Sequence, residues 1–239
     1  MKGILFVLLS LSLHSSFAVH PPLFGSCLGS ITRSHDGLFT DNLSNLMSLL
    51  LREAPSIGFA IGSVGGGETR AYGLAMCRGD VGSSSCTACI HEANDRVLRH
   101  CPHDGEATVW LDRCLVRYAD RKFFGEIDQG RRIYVASDGN ASEGSSAFDA
   151  AAGELMERLS KKAYLTPLMF ATGEMDAGGA GSLFGLVQCS RDLSGGDCKR
   201  CLGSAIADLR SFFRGGRGGR VVGGSCLLRY ELYPFYDSS

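Results

Sequence analysis

The sequence predicts an α+β fold: two tandem repeats, each with two helices packed on a small antiparallel sheet and stapled by disulfides. Three observations carry this. First, Cys77, Cys86, Cys89 and Cys114 recur as Cys189, Cys198, Cys201 and Cys226, each 112 residues later. A constant offset over four positions marks an internal duplication. The neighbouring text agrees, because YGLAMCRGDVGSSSCTACI at 72–90 reads against FGLVQCSRDLSGGDCKRCL at 184–202, and CLVRY at 114–118 answers CLLRY at 226–230. Second, each repeat opens with apolar residues at helical spacing. Third, each repeat carries β-like runs on both sides of a glycine-rich tract.

The elements follow in order. Phe39, Leu43, Leu46, Met47 and Leu50 share one helix face, with Thr40 or Asp41 near its start. The second repeat answers with Phe148, Ala152, Leu155, Met156 and Leu159. Between GFAIGSV and TRAYGLAM the tract SVGGGETR predicts a hairpin turn, as does EMDAGGAGS between PLMFATG and LFGLVQ. Cys86, Cys89, Ile90, Ala93, Val97 and Cys101 line a second helix face, which Pro102 should end. ATVWLDRC and CLVRYA then read as strands.

Length, charge and the N-terminus bound the setting. The 239 residues carry 24 Lys and Arg against 25 Asp and Glu, which excludes a chain bound globally to nucleic acid. Residues 1–18, MKGILFVLLSLSLHSSFA, have a positive start, a short apolar run and small residues at the cleavage site, as in a secretory signal peptide. The run is too short to span a bilayer, and no second apolar stretch follows, so a secreted, extracellular protein without a transmembrane segment is expected. In that setting ten cysteines form five bridges. Cys27 and Cys101 lack counterparts together: Phe213 stands 112 residues after Cys101, and Ala136 or a neighbour stands near the place of Cys27. Joint loss points to a Cys27–Cys101 pair. The others pair most simply as Cys77–Cys86, Cys89–Cys114, Cys189–Cys198 and Cys201–Cys226. The second repeat, one bridge short, is expected to lean on apolar packing through Phe212 and Phe213. Asn42 and Asn140 head N-x-S tripeptides and are candidate glycan acceptors.

The C-x8-C-x2-C block, the YG before it and the C-x3-Y after it resemble the plant cysteine-rich secretory repeat, also called the stress-antifungal or ginkbilobin-homologous domain. The resemblance places one copy at 21–123 and another at 129–237. It implies five-stranded sheets and three bridges per repeat in the pairing above, from which the second repeat departs by one bridge. Tandem copies also form the outer parts of receptor-like kinases and plasmodesmal proteins, which continue into a membrane helix. This chain is similar to the soluble branch.

The resemblance also implies a mannose site. Family members that bind sugar use an Asn after the first cysteine, an Arg six residues before the last and a Glu five residues after it. The first repeat has Leu28, Thr108 and Ala119 there. The second offers Arg220 and Glu231, with Asp138 nearest the Asn place and Asn140 fitting after a slip of two. Arg and carboxylate side chains suit sugar hydroxyls, but Arg220 and Glu231 equally suit an ordinary cross-strand ion pair. The tract RGGRGGR at 214–220 reads as a mobile loop, or as a basic patch for acidic polysaccharide or anionic lipid. Paired C-x2-C motifs suit zinc in a reducing compartment, yet behind a leader they read as bridges, so neither metal nor cofactor is expected. No H-E-x-x-H, G-x-S-x-G or phosphate-cradling loop is present.

Two function classes remain. One is a non-catalytic recognition protein of the plant apoplast, active in stress or defence, that binds mannose or a cell-wall glycan through the second repeat. The other is a protein-interaction module that pairs with other tandem-repeat ectodomains and has no lectin activity.

Overall fold

The computed structural model describes residues 24–27, 37–101, 104–128, 130, 132–137, 146–213 and 216–237. The leader expected over 1–18, Pro102 and Asn140 lie outside them. The first repeat runs β1 (Phe24–Cys27), α1 (Gly37–Ile57), β2 (Phe59–Val64), β3 (Ala71–Cys77), α2 (Ser83–His100), β4 (Glu106–Trp110) and β5 (Cys114–Ala119). The second keeps the order as β6 (Ile133–Ala136), α3 (Ser146–Tyr164), β7 (Phe170–Asp176), β8 (Ser182–Cys189), α4 (Gly195–Phe212), β9 (Gly218–Val222) and β10 (Cys226–Glu231). Each repeat folds into a five-stranded antiparallel sheet, ordered β1-β4-β5-β3-β2 and β6-β9-β10-β8-β7. The expected α+β class holds.

Sequence pattern explains the helix–sheet contact. The α1 face of Phe39, Leu43, Leu46, Met47 and Leu50 is buried, and so is the matching α3 face. Gly73 and Gly185, the glycines of the YG and FG dipeptides, lie where these helices cross. A Cβ at Gly73 would stand 2.9 Å from Leu46 Cδ2, and one at Gly185 would stand 2.9 Å from Leu155 Cδ2. Glycine there lets the helix settle on the sheet at close range. One expectation shifts: α1 starts at Gly37, so Thr40 and Asp41 lie inside its first turns and are not caps.

The five bridges join Cys27–Cys101, Cys77–Cys86, Cys89–Cys114, Cys189–Cys198 and Cys201–Cys226, with α-carbons 5.5–6.1 Å apart. The second repeat fills the place of the missing bridge with an aromatic ring. Cys27 stands opposite Ala107 in the first sheet, and Ala136 stands opposite Gly219 in the second. Phe213 is buried over Gly219, where a Cβ would come within 2.8 Å of the ring. Phe212 does not share this role, being 60% exposed and stacked on Tyr134 instead.

Both sheets are covered on both faces, so their central strands read as near-continuous buried runs. Ala75, Cys77, Val116 and Tyr118 face the helices, while Leu74, Met76, Trp110 and Leu115 build a third core with Phe123 and Val222 of the linker and the second repeat. The two sheets thus pack back to back. Trp110 Nε1 donates to Gly223 O at 2.5 Å, and Gln188 Nε2 donates to Cys77 O at 3.0 Å.

The joint is reciprocal. The segment after the first repeat reaches the second, where Gly125 N donates to Asp192 Oδ2 at 2.9 Å. The segment after the second repeat returns the contact: Asp237 N, 112 residues on, donates to Asp80 Oδ2 at 2.9 Å. Arg117 lies under Phe123 at 4.1 Å, and Arg229 lies under Phe235 at 4.0 Å. Such pairing is the mark of an isologous interface, here between halves of one chain.

Candidate functional site

The residues expected to hold a sugar converge on this joint. β9 and β10 run antiparallel, with Arg220 opposite Arg229 and Glu231 opposite Gly218, so Arg220 and Glu231 are diagonal neighbours. All three side chains point to the face away from the helices, toward the first repeat. The second half of the RGGRGGR tract is therefore strand, since Gly218, Gly219 and Arg220 belong to β9.

Glu231 is 1% exposed, and its carboxylate is occupied. Oε1 accepts from Arg229 Nε at 2.9 Å, with Arg220 Nε at 3.8 Å, and Oε2 accepts from Ser137 Oγ at 2.6 Å. Arg220 turns to the other repeat: its Nη1 donates to Asp112 Oδ1 at 2.9 Å. Arg229 Nη1 approaches the same oxygen at 3.4 Å, and Arg78 Nη1 reaches Asp112 Oδ2 at 3.3 Å. Asp112, in the turn between β4 and β5, thus gathers three guanidinium groups: Arg220 and Arg229 across the joint and Arg78 of its own repeat. Burial and the charge of Arg229 push the Arg220 guanidinium below its usual value, against the pull of Asp112 and Glu231. For Arg78 burial acts in the same sense, yet hydrogen bonds and charge from Asp80 leave it raised.

In this arrangement the groups expected to hold a sugar are already engaged with other side chains. A saccharide would have to displace Ser137 and Arg229 from Glu231, and Asp112 from Arg220. The strand register also locates the third place of the set, for which the sequence offered Asp138 or Asn140, both outside the described residues. Ala136 occupies the place of Cys27, so the residue that follows it is Ser137, and its hydroxyl is already spent on Glu231. The ion-pair reading of Arg220 and Glu231 describes their geometry, with Asp112 and Arg229 as partners that sequence reasoning missed. Their signal was present: Arg117 and Arg229 recur in CLVRY and CLLRY, and Phe123 and Phe235 recur beyond them at the same spacing.

Asn42 also has a structural task. Its Nδ2 donates to Thr69 O at 2.9 Å and so pins the β2–β3 hairpin to α1. A Cβ at Gly65, where φ is 93°, would overlap the same amide. Among the described residues, one cluster has metal-ligand spacing, Cys27, Cys101 and Asp104, and its two sulfurs are bonded to each other. No helix among the described residues is long and apolar enough to cross a membrane. An open cleft of about 530 Å³ runs between the linker and α4, lined by Gly125, Ile127, Arg132, Arg200 and Ser204.

Known proteins share this architecture. The salt stress response/antifungal family matches residues 26–121 and again 135–233. An antimicrobial ginkbilobin-2-like protein of Castanea crenata is 44% identical over 98% of this chain and 96% of its own. Cysteine-rich repeat secretory protein 38 of Arabidopsis thaliana is 42% identical over 91% of this chain and 86% of its own. In fold, the tandem DUF26 ectodomain of the Arabidopsis thaliana cysteine-rich receptor-like protein PDLP8 superposes with a TM-score of 0.77 at 24% identity, covering 89% of this chain and 98% of that one. With this match across both cysteine frames, the chain belongs to the salt stress response/antifungal family and carries two of its domains in tandem.

Proposed function

We propose that this chain is a secreted, non-catalytic recognition protein of the extracellular space, which in plants is the apoplast, and that it serves stress or defence by binding a macromolecular partner. One observation carries the choice of partner over mannose. The only near-complete sugar set, Arg220 with Glu231, is consumed by the Asp112–Arg229–Ser137 network that joins the repeats. What remains for recognition is the outer surface of a doubly fastened, disulfide-stapled body, including the cleft beside α4. The kinship with secretory proteins supports the extracellular setting, and the name of the chestnut relative supports defence.

A glycan array run beside affinity capture from extracellular fluid separates the readings. The expected result is a flat mannose response with specific capture of a protein partner. Mannose binding by the wild type that vanishes in Arg220→Ala, at an unchanged melting temperature, would overturn it in favour of a lectin.

A further inference from the structure

The seven tyrosines differ sharply in access and in what their hydroxyls meet. Tyr118 and Tyr230 are buried, with their hydroxyls donating to backbone carbonyls. Tyr72, Tyr164 and Tyr236 are half-buried among other side chains. Two are exposed: Tyr134 at 38% and Tyr233 at 50%. Their hydroxyls have opposite neighbours. Tyr233 accepts a hydrogen bond from Arg229 Nη2 at 3.1 Å. Tyr134 donates to Asp208 Oδ2 at 3.2 Å. The same Asp208 Oδ2 also accepts from Arg132 Nη1 at 2.6 Å, which fixes the carboxylate in place, and Arg132 Nη1 donates to Ser204 Oγ at 2.8 Å as well. The Tyr134 ring is held against Phe212, with centroids 4.1 Å apart and planes at 25°. Ser204, Asp208 and Phe212 follow one another at four-residue steps on α4, facing Arg132 and Tyr134 of the β6 segment. The first repeat has Gly25 and His100 at the places of Tyr134 and Phe212, so this group belongs to the second repeat alone.

We propose that Tyr134 is a site of one-electron oxidation and dityrosine crosslinking, with Asp208 as the proton acceptor. A phenol gives up an electron readily only if its proton leaves with it, because the protonated radical cation is strongly acidic. A carboxylate already holding that proton in a hydrogen bond supplies the exit, whereas a guanidinium has no acceptor to offer. The oxidant is hydrogen peroxide acting through a haem peroxidase. One peroxide takes one electron from the Tyr134 phenol of each of two copies and two protons from solvent, and leaves as two waters. The two phenoxyl radicals then join by one carbon–carbon bond between ring carbons ortho to oxygen. A shift of each ring hydrogen to its oxygen restores two phenols. The proton given to Asp208 passes on to solvent, so Asp208 is unchanged after each event.

The test treats purified protein with a plant haem peroxidase and limiting hydrogen peroxide. Dityrosine fluorescence, covalent dimer on a denaturing gel and peptide mapping by mass spectrometry are the readouts. The expected result is crosslinking at Tyr134 ahead of the more exposed Tyr233, loss of the dimer in Tyr134→Phe, and its retention in Tyr233→Phe. Asp208→Asn, which keeps an acceptor oxygen but cannot take the proton, should slow Tyr134 oxidation several-fold. The native melting profile of each variant is recorded alongside, so that a folding defect is not scored as lost chemistry. Modification at Tyr233 equal to or above that at Tyr134 would overturn the proposal, since exposure alone would then govern. An unchanged rate in folded Asp208→Asn would remove the carboxylate from it.

Discussion

Replacing Asp112 by Asn tests whether the joint is an energetic unit. The substitution keeps the size of the side chain and removes the charge that Arg78, Arg220 and Arg229 share. Breaking a fully buried pair costs about 3–5 kcal/mol, because an uncompensated charge is left behind. Asp112 is 31% exposed, so water screens part of that loss, and a fully exposed pair would be worth about 1 kcal/mol or less. Arg229 keeps Glu231 and Arg78 keeps Asp80, which leaves Arg220 as the main loser. These limits place the cost near 2 kcal/mol, or roughly 4–8 °C in melting temperature for a chain of this size. Urea unfolding followed by tryptophan fluorescence is the natural assay, because the single tryptophan, Trp110, lies in the joint and donates to Gly223 across it. A double-mutant cycle with Arg220→Met isolates the pair. An Asp112→Asn variant within about 0.5 kcal/mol of wild type, with no coupling to Arg220, would refute the reasoning.

Phe213→Ala should destabilise by about 3 kcal/mol, since it empties the space that a bridge fills in the first repeat; calorimetry measures this. Ser194→Ala should cost about 1 kcal/mol in the same assay, because Ser194 Oγ caps α4 by accepting from Asp197 N at 3.1 Å. The equivalent Gly82 makes no side-chain cap, so Gly82→Ala should show no loss of that kind. Alkaline titration should unfold the protein through Tyr118 and Tyr230. Burial raises both phenols above the ordinary value of 10.0, so the stability they contribute is complete below that pH and falls as pH climbs toward their folded values. Ionisation of all seven phenols should be complete only with loss of helical circular dichroism, and full phenolate absorbance before that loss would contradict the burial of Tyr118 and Tyr230. Mass spectrometry of secreted protein should find Asn42 without a glycan, because its amide is committed to Thr69.

The residues explain what was legible and what was not. Helix faces such as Phe39–Leu50 were readable because one buried stripe leaves a period of its own. The duplication was readable because cysteine spacing tolerates no drift. The joint was hidden for a physical reason: a strand buried on both faces loses the alternation that would show which side chains point where. Leu74 and Ala75 look alike in sequence, yet one meets the second repeat and the other meets a helix. The charged members were obscured differently. Arg229 and Glu231 are two residues apart and read as solvent-facing, and only the strand register shows that the partner sheet covers them. The place after the missing cysteine could not be counted in sequence, because the second repeat has no cysteine there; Ala136 opposite Gly219 sets it at Ser137, three residues before Asn140.

Because Asp80 grips Asp237 and Asp192 grips Gly125, each half wears the tail of the other. A protease that nicks the chain around residue 130 would therefore not release two free modules. It would leave a clasped pair of fragments that migrates as one particle until denaturant parts them. In this sense the protein is a dimer that carries its own tether, and either half made alone would present a wide greasy sheet to water.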